Sequence, residues 1–187
     1  MIKKIQGEKI FLSPIEKEEI SYFHQFINDM EMSVLTGTFS MVMNREKEAE
    51  YFQDLEDTVQ LGIHEMETGK IIGLVEFMNI SSIGRSAEIG ISIGESEERN
   101  QGFGREALEL MLEFGFRTLN FHSIYLTVVD GNARGMHLYE SIGFKEAGRL
   151  REHRFVNGIY RDVLYMDLLR EEFKGRAISD EIERIIQ

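Results

Sequence analysis

The chain has 187 residues, 42% of them hydrophobic and 29% charged, a length and balance that fit one globular domain with a substantial core. Its net charge of −12 disfavours a nucleic-acid partner, which needs a positive surface, and leaves both plain solubility and a cationic substrate open. Cysteine is absent, which excludes disulfides, thiolate metal sites and cysteine nucleophiles and fits a reducing cytoplasm; no apolar run is long enough to span a membrane, and the N-terminus lacks a signal peptide's apolar block.

In chain order, KKIQGEKIFLSPI alternates as a strand ending at Ser13-Pro14. IEKEEISYFHQFIND then puts Ile15, Ile20, Phe23, Phe26 and Ile27 on one helical face, and REKEAEYFQDLED has helical spacing too. Between them, the methionine-rich residues 30–44 are too irregular to assign. VQLGIHEME and KIIGLVEFMNI are strands joined at Thr68-Gly69, and RSAEIGISI is a third after a turn at residues 82–84. That strand alternates Ala87, Ile89, Ile91 and Ile93 against Glu88, Gly90 and Ser92, so one face is apolar and the other open. GREALELMLEFGFRTLN is an amphipathic helix with Leu108, Met111, Leu112 and Phe116 inward. HSIYLTVVD reads as a buried strand, and NARGMHLYESIG as a short helix opened by Asn132, a good N-cap. Two closing strands meet at Asn157-Gly158, and a short helix follows in the tail. The order β-α-α-β-β-β-α-β-α-β-β predicts an α/β (α+β) fold: a mixed sheet in which antiparallel hairpins stand beside one β-α-β crossover, covered by helices. Neither a repeat nor a linker divides the chain, so residues 1–173 form a single domain and 174–187 a helical tail.

RNQGFGREAL, residues 99–108, packs two glycines and two arginines into the opening of a helix. A helix N-terminus offers unpaired N–H groups and the positive end of the macrodipole, so this turn suits an anion. Gly102 and Gly104 let a backbone come close to a ligand, while Arg99 and Arg105 add positive charge within an acidic chain. On its own the stretch also permits a dinucleotide or an empty turn. Residues 102–107 match G-x-G-x-x-A, and Asp130 ends the next strand where a ribose-binding acid would lie. Eight mostly polar residues separate Ile93 from Gly102, however, and only 57 residues follow Asp130, much of them a hairpin. The dinucleotide unit needs a strand running straight into the glycines and further crossovers behind it, so that reading fails.

Arg99-Asn-Gln-Gly102-Phe-Gly104 resembles the R/Q-x-x-G-x-G/A signature of the GCN5-related N-acetyltransferases (GNAT), which bind acetyl-CoA. About thirty residues on, Asn132-Ala-Arg-Gly-Met-His-Leu-Tyr139-Glu-Ser-Ile-Gly143-Phe144 resembles the second landmark, N-x-x-(A/G)-x-x-x-Y-x-x-x-G-F. FVNGIYRDVLYMDLL resembles the closing hairpin of the branch holding ribosomal-protein N-terminal acetylases and spermidine acetyltransferases. The resemblance covers residues 8–172 and is clearest over 70–170. It implies a mostly antiparallel sheet of about seven strands, helices on both faces, and a splay between the fourth and fifth strands.

Several roles follow from that resemblance. The pyrophosphate of acetyl-CoA would sit on Gln101, Gly102, Phe103, Gly104 and Arg105, with Arg99 beside them. The pantetheine arm would pair with the fourth strand at Ile91, Ser92 and Ile93, like an added strand, and Gly90 and Gly94 could ease the splay. Tyr139 takes the role of acid for the departing thiolate, unless it is simply a half-buried tyrosine that packs its helix on the sheet. Asn132 caps its helix and bonds the arm, while Arg134 meets a CoA phosphate or stands as an exposed helix arginine. The base is Glu88, directly or through water, unless Glu88 is a solvated carboxylate at a strand end; Glu76 is the second candidate. His122 and His137 read as structural, and no spacing suggests a metal. The expected activity is acetyl transfer to a primary amine in the cytoplasm, with no nucleic acid and no membrane, and with a homodimer as a family habit. A non-catalytic acyl-CoA-binding module of the same fold is the alternative. Spermidine acetyltransferases carry a tryptophan and paired acids in the first loop and another acid after the third strand. This chain has VLTGTFS, no tryptophan and Asn79 there, so that polyamine site does not carry over, and a protein N-terminus, an aminoglycoside or another small amine stays open.

Overall fold

Alternating apolar residues build the sheet from both its faces. The computed structural model describes residues 2–35, 42–52, 58–94 and 101–186. Its strands are β1 Ile5–Gln6, β2 Ile10–Ser13, β3 Val59–Glu65, β4 Ile71–Ser81, β5 Ser86–Ile93, β6 Ser123–Val129, β7 Lys145–Val156 and β8 Ile159–Leu169. They form one sheet in the order β1-β2-β3-β4-β5-β6-β8-β7. Every pair is antiparallel except β5 with β6, which the crossover through a helix makes parallel. The mixed, mostly antiparallel architecture is therefore as expected. Among the described residues the strand count is eight, because the first strand folds back at Gly7, whose N–H bonds the carbonyl of Ile10 at 2.9 Å.

The helices are α1 Ile20–Ile27, α2 Met30–Leu35, α3 Arg45–Tyr51, α4 Phe103–Glu113, α5 Ala133–Ile142 and α6 Ala177–Ile186. Leu108, Met111, Leu112 and Phe116 are fully buried, as their spacing predicts, and pack with Phe77, Ile89 and Ile124 under α4. After Glu113 the helix widens into a π turn, Phe114–Thr118, in which Leu119 N–H reaches the carbonyl of Phe114 at 3.0 Å. On the opposite face α1 to α3 bury Phe23, Met32 and Phe52 against Leu74, with Ile15, Ile20 and Ile27 around them; the side chain of Phe26 lies outside the described residues. Helices thus cover both faces. The helix at residues 30–35 went unassigned in the sequence, yet Asp29 caps it, its Oδ1 accepting the N–H of Met32 at 3.0 Å. The hairpin turn at Asn157 and Gly158 has both residues left-handed, φ +50° and +77°, as a type I′ turn requires. No helix among the described residues is long and apolar enough to cross a membrane.

Candidate active site

The parallel ladder between β5 and β6 is short. It joins Ser86, Ala87 and Glu88 to Ser123, Ile124 and Tyr125 and then stops, although both strands continue, to Ile93 and Val129. On its other edge β5 stays paired with β4 as far as Ile93 opposite Gly73. Two bonds fix the phase of its backbone. Gly94 N–H reaches the carbonyl of Ile72 on the β4 side at 2.9 Å, and the carbonyl of Arg85 accepts from His122 on the β6 side at 2.6 Å. By alternation, Ile89, Ile91 and Ile93 aim their N–H and C=O groups toward β6, where the ladder has ended. The slot between β5 and β6 therefore carries a strand edge that an extended, amide-bearing chain can pair with. The expected splay lies here. Gly94, expected to ease the bend, has a more local task, since a Cβ there would stand 2.2 Å from the hydroxyl oxygen of Tyr22 on α1.

The glycine turn leads into α4 beside this edge. Arg99 and its neighbours, residues 95–100, lie outside the described residues. Gly102 is the N-cap, with φ +89°. Its carbonyl takes the N–H of Glu106 at 3.1 Å, which leaves the N–H groups of Phe103, Gly104 and Arg105 without partners inside the helix. Three such donors at the positive end of a helix suit a phosphate. Gln101 is exposed, and its carbonyl accepts the Lys9 ammonium at 3.0 Å. Phe103 buries its ring in the core, so only its backbone faces the turn. Arg105 binds Glu109 at 2.8 Å and Ser141 on α5, and braces two helices instead of standing free over the turn. A Cβ built on Gly104 would lie 3.7 Å from Ile93, 3.9 Å from Ile91 and 3.9 Å from Leu138. The end of β5, the start of α4 and the middle of α5 thus meet at one point.

The second landmark frames that junction. Asn132 Oδ1 accepts the N–H of Gly135 at 2.9 Å and caps α5, as expected. Arg134 is exposed in the first turn. Gly143, at φ +119°, ends the helix, and Phe144 anchors it in the core. Tyr139 is half-buried, edge-on to Phe144 with ring centroids 6.1 Å apart. Burial alone raises its phenol above the ordinary tyrosine range, so at neutral pH it holds its proton.

Glu88 belongs to the open face, on the other side of β5 from the side chains of Ile89 and Ile91. It stands opposite Met78 on β4 and Tyr125 on β6, and Tyr125 stands opposite Asp167 on β8. Its Oε2 accepts from Asn79 Nδ2 at 2.8 Å and its Oε1 from Thr127 Oγ1 at 3.1 Å. Glu76 is more enclosed, 8% exposed, and accepts from Gln60 Nε2 at 2.7 Å. It faces Gly90, which makes it the diagonal neighbour of Glu88, about 7–8 Å away by strand geometry. The rings of Tyr125 and Tyr165 stack at 6.4 Å, and burial, then the charge of Glu88, raises the Tyr125 phenol. This face carries acids and aromatic walls, the chemistry that receives a cation. Asn79, Tyr125, Thr127, Tyr165 and Asp167 were not picked out as site residues from the sequence. The available signal was that Tyr125 and Thr127 run out of phase with the buried Ile124, Leu126 and Val128. His122 and His137 are exposed, and no group of three metal-ligating side chains occurs among the described residues.

Comparison with known proteins agrees with this geometry. The family profile of the acetyltransferase (GNAT) domain matches residues 9–145. Spermidine N(1)-acetyltransferase of Vibrio cholerae is 33% identical over 180 residues, covering 91% of this chain and 99% of its own. The crystal structure of spermidine N-acetyltransferase from Vibrio cholerae in complex with CoA and spermine superposes with a TM-score of 0.81 at 31% identity, covering 89% of this chain and 98% of the other. A dodecameric structure of the same organism's enzyme in an intermediate state gives 0.72 at 30% identity, with 88% and 96% covered.

Proposed function

The chain belongs to the GNAT acetyltransferase family and is an acetyl-CoA-dependent N-acetyltransferase; from that premise we propose that it acetylates a small amine of more than one positive charge, with Glu88 as base and Tyr139 as acid. The observation that carries this reading is the end of the β5–β6 ladder immediately past Glu88, which sets an unpaired strand edge beside a hydrogen-bonded carboxylate. The residues present fit acetyl-CoA: helix-start donors at Phe103, Gly104 and Arg105 for its pyrophosphate, and the edge at Ile91 and Ile93, with Ser92 between them, for its amide-bearing arm. Bound there, acetyl-CoA supplies an activated acyl carbon and a thiolate leaving group. The edge N–H groups of β5 polarise the thioester carbonyl. Glu88 takes a proton from the ammonium form of the amine, directly or through one water, and frees the lone pair for the new C–N bond. Tyr139 gives its hydroxyl proton to the sulfur as the C–S bond breaks; the second proton, which the nitrogen sheds once the C–N bond has formed, leaves to solvent, and Tyr139 is reprotonated from there.

The acceptor class rests on Glu76 and Glu88, two separate carboxylates on one face beside the Tyr125–Tyr165 stack. Spermidine, the substrate named for the Vibrio relative, is the first amine to assay, although the tryptophan and loop acids are missing and residues 36–40 lie outside the described residues. The catalytic unit we assign is residues 1–173, with α6 an appended helix. A cytoplasmic location is inferred from a cysteine-free chain suited to a reducing compartment. Self-association is inferred from the dodecameric relative and from the exposed Phe155, Ile159 and Tyr160 on the β7–β8 hairpin.

Calorimetric titration with acetyl-CoA, with NAD as control, comes first, followed by thiol release with spermidine, an aminoglycoside and a peptide N-terminus. Acetyl-CoA binding and fastest release with spermidine is the expected result. Binding of NAD without acetyl-CoA would overturn the site, and preference for the monocationic peptide would overturn the acceptor class.

A further inference from the structure

We propose that Asn79 is a positioning residue: from a left-handed bulge on β4 it holds the Glu88 carboxylate, beside Tyr125, in the place that receives the amine. This rests on the assignment of Glu88 as base. The register between β4 and β5 runs from Met78 opposite Glu88 to Ser81 opposite Ser86, so β4 spends one residue more than β5 over the same stretch. Plain alternation would send Asn79 to the core with Phe77, two residues earlier. Instead Asn79 adopts φ +49°, and Ile80 packs against the main core. Left-handed backbone is costly for most side chains and tolerated by asparagine, and such conformations gather at functional sites. The amide thereby reaches the open face.

There it works on Glu88. One amide hydrogen goes to Glu88 Oε2 at 2.8 Å, and the amide lies close enough to the Tyr125 hydroxyl to pull that phenol down a little against burial and the charge of Glu88. With Thr127 on Oε1, each carboxylate oxygen has one neutral donor and keeps a lone pair for an ammonium proton. Among the described residues, Met78 and Glu76 on β4 and Tyr165 and Asp167 on β8 stand next to this unit, and Lys145 of β7 stands opposite Asp167, one strand further out. No described cation bonds the Glu88 carboxylate, whose partners are the neutral Asn79 and Thr127. A carboxylate able to swing between rotamers would meet the amine in the right geometry only part of the time.

Three variants and their combination test this. Asn79→Gly keeps the left-handed turn and removes the amide; thermal midpoint and acetyl-CoA affinity stay at wild-type values while kcat falls about tenfold to a hundredfold. Asn79→Asp, of the same shape and equally tolerant of the turn, puts a second carboxylate against Glu88 and moves the acidic limb of the kcat/KM profile up by about one pH unit or more. In the Glu88→Gln background, Asn79→Gly adds less than about a twofold further loss, because its effect passes through Glu88. Wild-type kcat and pH profile in both Asn79 variants, with Glu88→Gln slow, would overturn this inference alone. Unchanged rates in Glu88→Gln would remove Glu88 as base, and the positioning role with it. Should Asn79→Gly fail to fold, Asn79→Asp decides by the same pH profile.

Discussion

Gly102 and Gly104 stand two residues apart in one turn, yet alanine is expected to act on them in opposite directions. At Gly102 the backbone has φ +89° and ψ −4°, a left-handed conformation in which an L-residue costs about 1–2 kcal/mol. The nearest atom to a new Cβ would be the Lys9 ammonium at 3.3 Å, the end of a flexible side chain that moves aside, so the strain is the backbone's own. An unliganded chain relieves that strain by fraying the first turn of α4, and pyrophosphate binding must restore it. The whole cost then appears in affinity, and Gly102→Ala weakens acetyl-CoA binding about 5- to 30-fold at about 1.4 kcal/mol per decade. Gly104 is inside the helix, with a built Cβ in ordinary contact at 3.7 Å from Ile93. Gly104→Ala therefore stabilises the free protein by up to about 1 kcal/mol, or about 2–4 °C in Tm for a domain of this size. Its affinity for acetyl-CoA still falls if the phosphate packs on that backbone. Scanning calorimetry and titration calorimetry at fixed salt read both quantities. Wild-type affinity in Gly102→Ala would refute the view that the left-handed turn holds the pyrophosphate.

Other residues make separate predictions. Tyr139→Phe lowers kcat about a hundredfold with acetyl-CoA affinity kept, and unchanged turnover would remove Tyr139 as the acid. Because burial raises this phenol and the acid works protonated, wild-type kcat shows no loss attributable to Tyr139 until pH has passed the ordinary tyrosine range near 10; an alkaline limb below that range that vanishes in Tyr139→Phe would contradict the assignment. Glu113 is buried, 1% exposed, and its carboxylate caps α6 by accepting from Ile178 N–H at 3.0 Å and Ser179 N–H at 2.7 Å. Glu113→Ala should cost about 1–2 kcal/mol and speed amide exchange across Ala177–Ile186 in particular, whereas exchange unchanged there would show that the helix is held otherwise. Phe155 and Tyr160 are each 61% exposed with rings 5.0 Å apart, and changing both to serine should reduce the particle mass seen by light scattering; an unchanged mass would place the interface elsewhere.

What could be read in advance was what depends on local backbone. Asn132 as a cap, Gly102 at a helix start and Asn157-Gly158 as a type I′ turn each follow from the conformations these residues permit, without knowledge of distant partners. The inward face of α4 was legible for a similar reason, since period and burial coincide over three turns. Short elements were not. Six residues of α2 carry too little periodicity, and the reversal at Gly7 is held by Glu106, almost a hundred residues away, which accepts from the backbone of Glu8 and Lys9.

The acceptor face needed still more. A period of two tells which side of a strand a residue takes, but not which residues of β4, β6 and β8 stand level with Glu88. At Asn79 even the side is misread, because the bulge reverses the alternation after Met78. Asn79 entered the sequence reading only as the place where an expected acid is missing. The structure gives that replacement a physical sense. An acid reaching the same point would set a second negative charge against Glu88 and drive one of the two to keep a proton, whereas the amide donates to Glu88 without charge. With an amide there Glu88 stays held by neutral donors, so on the proposed assignment the departure from the polyamine pattern changes how the acceptor is met without removing the group that takes its proton.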